Sequence, residues 1–189
     1  MKYWTIQKKA VVNAVLHDEM YQPDFTKSDY LQKIPNLQEL YYFILESFND
    51  INNVNLPGVI FGFVGSNNES LFEISNQDEF YGLISSNKNA IKSLWNHFIE
   101  ADAVLLELDY NSEFLNPVYI DINDFQFLMP PIVEVPPYTN EDVKRLISFI
   151  ERGKITRSVF PSNIIQAHLP YIKKENMVAA YNLIPLDEI

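Results

Sequence analysis

The run GVIFGFV, residues 58–64, constrains the fold more than any other stretch of this chain. Apolar side chains occupy both parities of a segment too short for an ordinary helix, so it reads as a strand with both faces buried. Such a strand lies inside a sheet, and the sheet needs an apolar layer on each side. Three amphipathic helices are available to supply it. The first is predicted to begin at Asn36, whose side chain can cap a helix with Glu39 at its third position. Leu37, Leu40, Tyr41, Ile44, Leu45 and Phe48 then form one apolar stripe. The second runs from about residue 87 to 100, with Ile91, Leu94, Trp95, Phe98 and Ile99 at the same spacing and His97 off the stripe. The third starts at a cap, Thr139, carries Val143, Leu146, Ile147 and Ile150, and stops at Gly153.

The remaining segments supply strands. KYWTIQ is predicted as a short strand, followed by a helix over residues 7–17 with Ala10, Val11, Ala14 and Val15 on one face; Pro23 ends any continuation. SLFEI pairs back onto the central run across the polar turn GSNNE. AVLLELDY, residues 103–110, reads as a half-buried strand, with Val104, Leu106, Leu108 and Tyr110 on one parity and Leu105, Glu107 and Asp109 on the other. PVYIDI is its expected neighbour. PPIVEVPP forms a rigid connector. KITRSVF reads as a strand, SNIIQAHL as a short helix between Pro161 and Pro170, and MVAAYNLI fits either state. Helices and strands do not alternate regularly enough for a doubly wound sheet. The expected class is therefore α+β, a mixed or antiparallel sheet packed by three or more amphipathic helices. No repeat, low-complexity tract or Gly/Ser linker divides the chain, and residues 1–189 read as a single domain.

Composition narrows the chemistry. A chain of 189 residues, 47% of them hydrophobic, can bury a core without covalent staples. The absence of cysteine excludes disulfides, thiolate metal sites and a thiol nucleophile, and it suits a reducing cytoplasm. The opening residues show no apolar leader segment, and no stretch approaches the uninterrupted apolar length of a membrane span. Lys and Arg number 14 against 25 Asp and Glu, a formal charge of −11. That sign opposes general nucleic-acid binding. Mimicry of DNA by carboxylates would need denser acidic rows than this chain has.

Familiar motifs are missing. Neither phosphate-binding glycine pattern occurs, G-x-S-x-G is absent, and Ser66 in VGSNN reads as turn chemistry. His17, His97 and His168 lie far apart in sequence and at no metal-ligand spacing; His97 reads as a surface residue. Arg152, Lys154 and Arg157, the most basic cluster, could receive an anion but read first as ion-pairing partners within an acidic chain. Trp4, Tyr21, Tyr30, Trp95, Tyr110, Tyr119 and Phe125 suit a pocket with apolar walls and polar tips, and suit a large core equally.

The segment YIDINDFQFL holds two carboxylates among large apolar residues. Ile120 and Ile122 share one parity, yet Phe125 and Phe127 take the parity of Asp121, so the apolar face switches and a bulge or turn near Asn123 and Asp124 is required. Asp124 has that turn to stabilise. Were this segment to pair with residues 103–110, Glu107, Asp109 and Asp121 would share one face, as a solvated polar surface or as a magnesium or calcium site.

Two stretches carry a resemblance. YWTIQKKAVVNAVL, a strand bearing W-T-I-Q followed by a helix, and AVLLELDYNSEFLNPVYIDINDFQFLM, a strand, loop and Asp-Phe segment, resemble an uncharacterised bacterial family, domain of unknown function 3841. The family brings no established activity. The resemblance implies a shared pocket at Trp4, Thr5, Gln7, Asp121, Asp124 and Phe125, to which the strand acid Asp109 is added. The expected function is the binding of a small molecule or a protein partner, with no cofactor. The alternative is an enzyme with an ADP-ribosyltransferase-like or divalent-cation-dependent site, an analogy of topology alone.

Overall fold

The side chains of Trp4 and Thr5 leave the first strand on opposite sides, and that alternation sorts the core of the described residues into two layers around the main sheet. The computed structural model describes residues 1–28, 31–32, 35–67, 70–110, 116–123 and 161–189. Strand β1 (Lys2–Lys8) leads directly into helix α1 (Lys9–Asp18), which ends where Glu19 adopts a left-handed conformation with φ of 64°. A two-residue strand β2 (Met20–Tyr21) precedes α2 (Pro35–Asn52). Then come β3 (Ile60–Asn67), β4 (Ser70–Phe72), α3 (Gln77–Ser86) and α4 (Lys88–Glu100). The described chain closes with β5 (Ala103–Asp109), β6 (Tyr119–Asp121), β7 (Ile164–Leu169), β8 (Ile172–Lys173) and β9 (Met177–Asn182). Among the described residues, seven strands form one antiparallel sheet in the order β6-β7-β3-β1-β5-β9, with β4 also paired to β3. The fold is α+β.

Register fixes which residues share a face, because directly opposed residues in an antiparallel ladder project to the same side. Trp4 opposes Glu107 and Phe63, Phe63 opposes Gln166, and Gln166 opposes Ile120. Thr5 opposes Leu106 and Gly62, Gly62 opposes Ala167, and Ala167 opposes Tyr119. On the first face, Trp4, Phe63 and Leu105 pack with Phe80 and Ile84 of α3 and with Ile91 and Trp95 of α4. Farther along that face, Val118 and Ile120 pack with Ile44, Leu45 and Phe48 of α2. The second face, with Val64, Leu106 and Ala167, packs against Val15 of α1. Both tryptophans are fully buried and each finds an acceptor for its indole N–H: Trp4 donates to the Ile74 carbonyl and Trp95 to the Ile184 carbonyl, both at 2.9 Å. Burial of side chains of this size contributes about 3 kcal/mol each.

The structure corrects several expectations. β5 is not half-buried: six of its seven residues are buried, Glu107 included, because helices cover both faces. β6 is not its neighbour. β5 lies between β1 and β9, and β6 pairs with β7 at the far side of the sheet. SNIIQAHL is not a helix but contains β7, whose six residues are all buried and which pairs along the length of β3. The flanking prolines bound a strand as readily as a helix, and a partner strand decided between them. MVAAYNLI resolves as β9, with Val178 as an extra residue where Glu107 opposes Ala179 but Leu108 opposes Met177. Gln7 lies in β1 rather than in the helix, and Asn36 lies within α2 rather than capping it. Helix α3 had no counterpart in the sequence reading. The helix at Thr139, the segments PPIVEVPP and KITRSVF, and Arg152, Lys154 and Arg157 lie outside the described residues. Among the described residues no helix is long and apolar enough to cross a membrane.

Candidate functional site

The residues expected to line a shared pocket are dispersed. Trp4 lies in the core, stacked between Phe80 at 5.5 Å and Tyr181 at 5.9 Å between ring centres. Thr5 projects to the other face, where its hydroxyl donates to the Phe61 carbonyl at 2.7 Å and accepts from the Gln7 amide at 2.9 Å. Asp109, at the end of β5, is half-buried, and its backbone carbonyl accepts from the Asn176 side chain at 3.1 Å. Asp121 opposes Ile165, which opposes Val64, whereas Glu107 shares a row with Phe63. Adjacent residues alternate faces, so Asp121 lies on the side of the sheet opposite Glu107 and Trp4. The expected acidic face therefore does not form, and Trp4 and Asp121 do not line one concavity. Among the described residues no three of His, Cys, Asp and Glu converge in a way that could hold a metal ion.

Asp121 nevertheless has a defined task. It is buried, with one carboxylate oxygen accepting from the Asn123 N–H at 2.8 Å and the other from the Ser162 N–H at 2.9 Å. It turns the chain at the end of β6 and ties that turn to the start of β7, the role expected of Asp124. Asp124 and Phe125 lie outside the described residues.

His168 is a second buried polar centre that sequence spacing did not reveal. Its Nδ1 lies 2.7 Å from the Val118 carbonyl and its Nε2 3.1 Å from the Gln166 side-chain amide, while Phe61 meets the ring edge-on at 4.9 Å. Burial disfavours the charged ring and lowers its pKa to about 4, against a smaller opposing effect of the Val118 carbonyl. The atom facing Nε2 is the Gln166 Oε1; a neutral ring that donates from Nδ1 must accept at Nε2, which requires the Gln166 amide in the flipped orientation, with its NH2 group toward the ring. The same Val118 carbonyl accepts the His168 backbone N–H at 3.1 Å, which extends the attachment of β6 to β7. The group is closed to solvent and serves the fold.

An open site forms instead where α3 meets the segment after β9. Asn76 caps α3 by accepting from the Glu79 N–H at 2.9 Å, and Glu79 accepts from the Ser75 N–H at 2.6 Å, a local pairing that fixes the first turn. Phe80, Tyr81 and Ile84 face the core, which leaves Asp78, Gly82 and Ser86 in a row on the outer side. Leu183, Ile184, Leu186 and Ile189 pack as a strap against the same core cluster. Side chains from the two helices hold its backbone. Tyr81 donates to the Asn182 carbonyl at 3.3 Å, Trp95 to Ile184, and Ser85 to the Ile189 carbonyl at 3.5 Å. Between helix and strap lies an open concavity of about 480 Å³, with Asp78, Tyr81, Gly82, Ser85 and Ser86 on one side and Ile184, Glu188 and Ile189 on the other. Sequence reasoning missed it because the strap is far from α3 in the chain. The Asn76–Glu79 capping pattern was the signal that could have located the helix.

Compared with known proteins, the chain matches no family model, no curated protein and no solved structure.

Proposed function

We propose that this chain is a binding domain that takes up a small ligand, or a side chain of a protein partner, in the concavity between α3 and residues 184–189. Gly82 carries the reading. A glycine inside a helix costs about 1 kcal/mol relative to alanine, so it usually answers a steric need. Gly58 has one, since a Cβ there would stand 2.8 Å from the Pro23 carbonyl oxygen. At Gly82 a Cβ would meet nothing within 4 Å, and the bare helix backbone forms part of the wall of the concavity. Space kept open without a packing reason suits an occupant that approaches the helix closely. The volume lies at the small end of the range for ligand sites.

The proposal keeps the resemblance to domain of unknown function 3841 and a cytoplasmic location, the latter from the absence of cysteine. The enzyme alternative, ADP-ribosyltransferase-like or divalent-cation-dependent, gains no support from acids that fall on opposite faces of the sheet. To test the site, a fragment library grouped by charge is screened by amide NMR shifts against the wild type and Gly82→Leu. The new side chain projects into open space, so the variant should keep its fold. Binders should shift residues 78–86 and 184–189 in the wild type and lose that effect in the variant. Equal shifts in both proteins would remove the concavity from the function.

A further inference from the structure

The occupant's chemistry follows from which hydrogen-bonding groups of the concavity are already engaged. We propose that it takes a cation on a short apolar stem, an ammonium or guanidinium group; the inference rests on reading the concavity as the binding site. The three hydroxyl groups along its wall all donate to the chain's own carbonyls: Ser86 to Gly82 at 2.9 Å, Ser85 to Ile189 at 3.5 Å and Tyr81 to Asn182 at 3.3 Å. The N–H groups within α3 donate along the helix. The side chains of the wall therefore present acceptors to a ligand: the Asp78 and Glu188 carboxylates, one from each side, and hydroxyl lone pairs. An anion would face two carboxylates.

Several exposed acids of the chain take a cation of its own. Asp102 pairs with Lys9 at 2.7 Å, Glu19 with Lys174 at 2.8 Å, and Asp24 with Lys27 at 3.1 Å. Asp78 and Glu188 are exposed on the rim of the concavity and take no cation from the described chain. Ile184 and Ile189, with the Tyr81 ring, give an apolar wall for the stem of the ligand, as an amphipathic amine requires. The net charge of −11 adds a long-range attraction for cations that salt would screen.

Three probes with one stem and three charges test the proposal: butylamine, butanol and butyrate, each titrated into the isotopically labelled chain at low salt. Butylamine should shift residues 78–86 and 184–189, and Asp78→Asn and Glu188→Gln should each weaken it about threefold, the scale of an exposed ion pair. Butanol and butyrate should leave those residues unmoved. Nα-acetyl-lysine methylamide separates the two sources of the same group. Tighter binding than butylamine assigns the cation to a lysine of a partner protein, and weaker binding assigns it to a free amine. Equal binding of butanol, or butylamine binding unchanged in both carboxylate variants, overturns the cation while the concavity stands. If no probe shifts these residues more in the wild type than in Gly82→Leu, both readings fall.

Discussion

Acidification should loosen this protein through His168 before most of its carboxylates are protonated. In the unfolded chain the ring takes a proton near pH 6.5; in the fold, burial lowers that value to about 4. Between those values the unfolded state binds more protons, so stability falls as pH drops through the window and is fully present only above about 6.5. A gap of about 2.5 pH units at 1.36 kcal/mol each amounts to about 3 kcal/mol in full, of which about 2 kcal/mol is lost between pH 7 and pH 5. The variant His168→Asn keeps an N–H donor near the position of Nδ1, for the Val118 carbonyl, and cannot titrate. Urea denaturation of both proteins at pH 7 and pH 5 isolates the contribution, because the carboxylates shared by the two chains cancel in the comparison. The variant starts less stable, having lost the ring's packing against Phe61. It should then lose about 2 kcal/mol less than the wild type on acidification. Parallel losses in the two proteins would refute a buried neutral imidazole.

Three further outcomes follow from named side chains. Gly82→Ala should raise stability by about 0.5–1 kcal/mol in the same denaturation assay, since a Cβ there meets nothing and helix propensity improves; a decrease would show hidden crowding. Ser47 is fully buried in α2 with no partner for its hydroxyl among the described residues, so Ser47→Ala should be neutral or stabilising by up to about 1 kcal/mol, and a loss above that in calorimetry would reveal a partner for the hydroxyl. Asp121→Ala leaves the Asn123 and Ser162 N–H groups without their carboxylate and should cost about 2–3 kcal/mol, with faster amide exchange at both positions; unchanged exchange would remove the turn from Asp121's role.

The legible parts were those written in local periodicity. GVIFGFV announces a strand buried on both faces because both parities are apolar, and β3 is that strand. The stripe through Ile44, Leu45 and Phe48 gives α2, and Ile91 with Trp95 gives α4, because a helix must turn one side to the core. The parity switch after Ile122 required a turn, and the strand does end there. Asp121 holds the turn, since its burial and the position of Ser162 bring its carboxylate to the Asn123 and Ser162 N–H groups.

Strand partners, by contrast, are not periodic properties. β5 and β6 are consecutive strands of the chain, yet β7, β3 and β1 lie between them in the sheet, so the acids on them never meet. The states of β7 and β9 were settled by the ladders on β3 and β5, which satisfy their backbone groups. The burial of His168 depends on the arrival of Val118 and Phe61, and the concavity depends on the strap after β9 crossing α3. By itself the sequence determined which segments are amphipathic and with what period, because that is encoded in neighbouring residues. Only the tertiary structure decided which faces are covered, which acids meet and where an open concavity forms, because those depend on contacts between segments far apart in the chain.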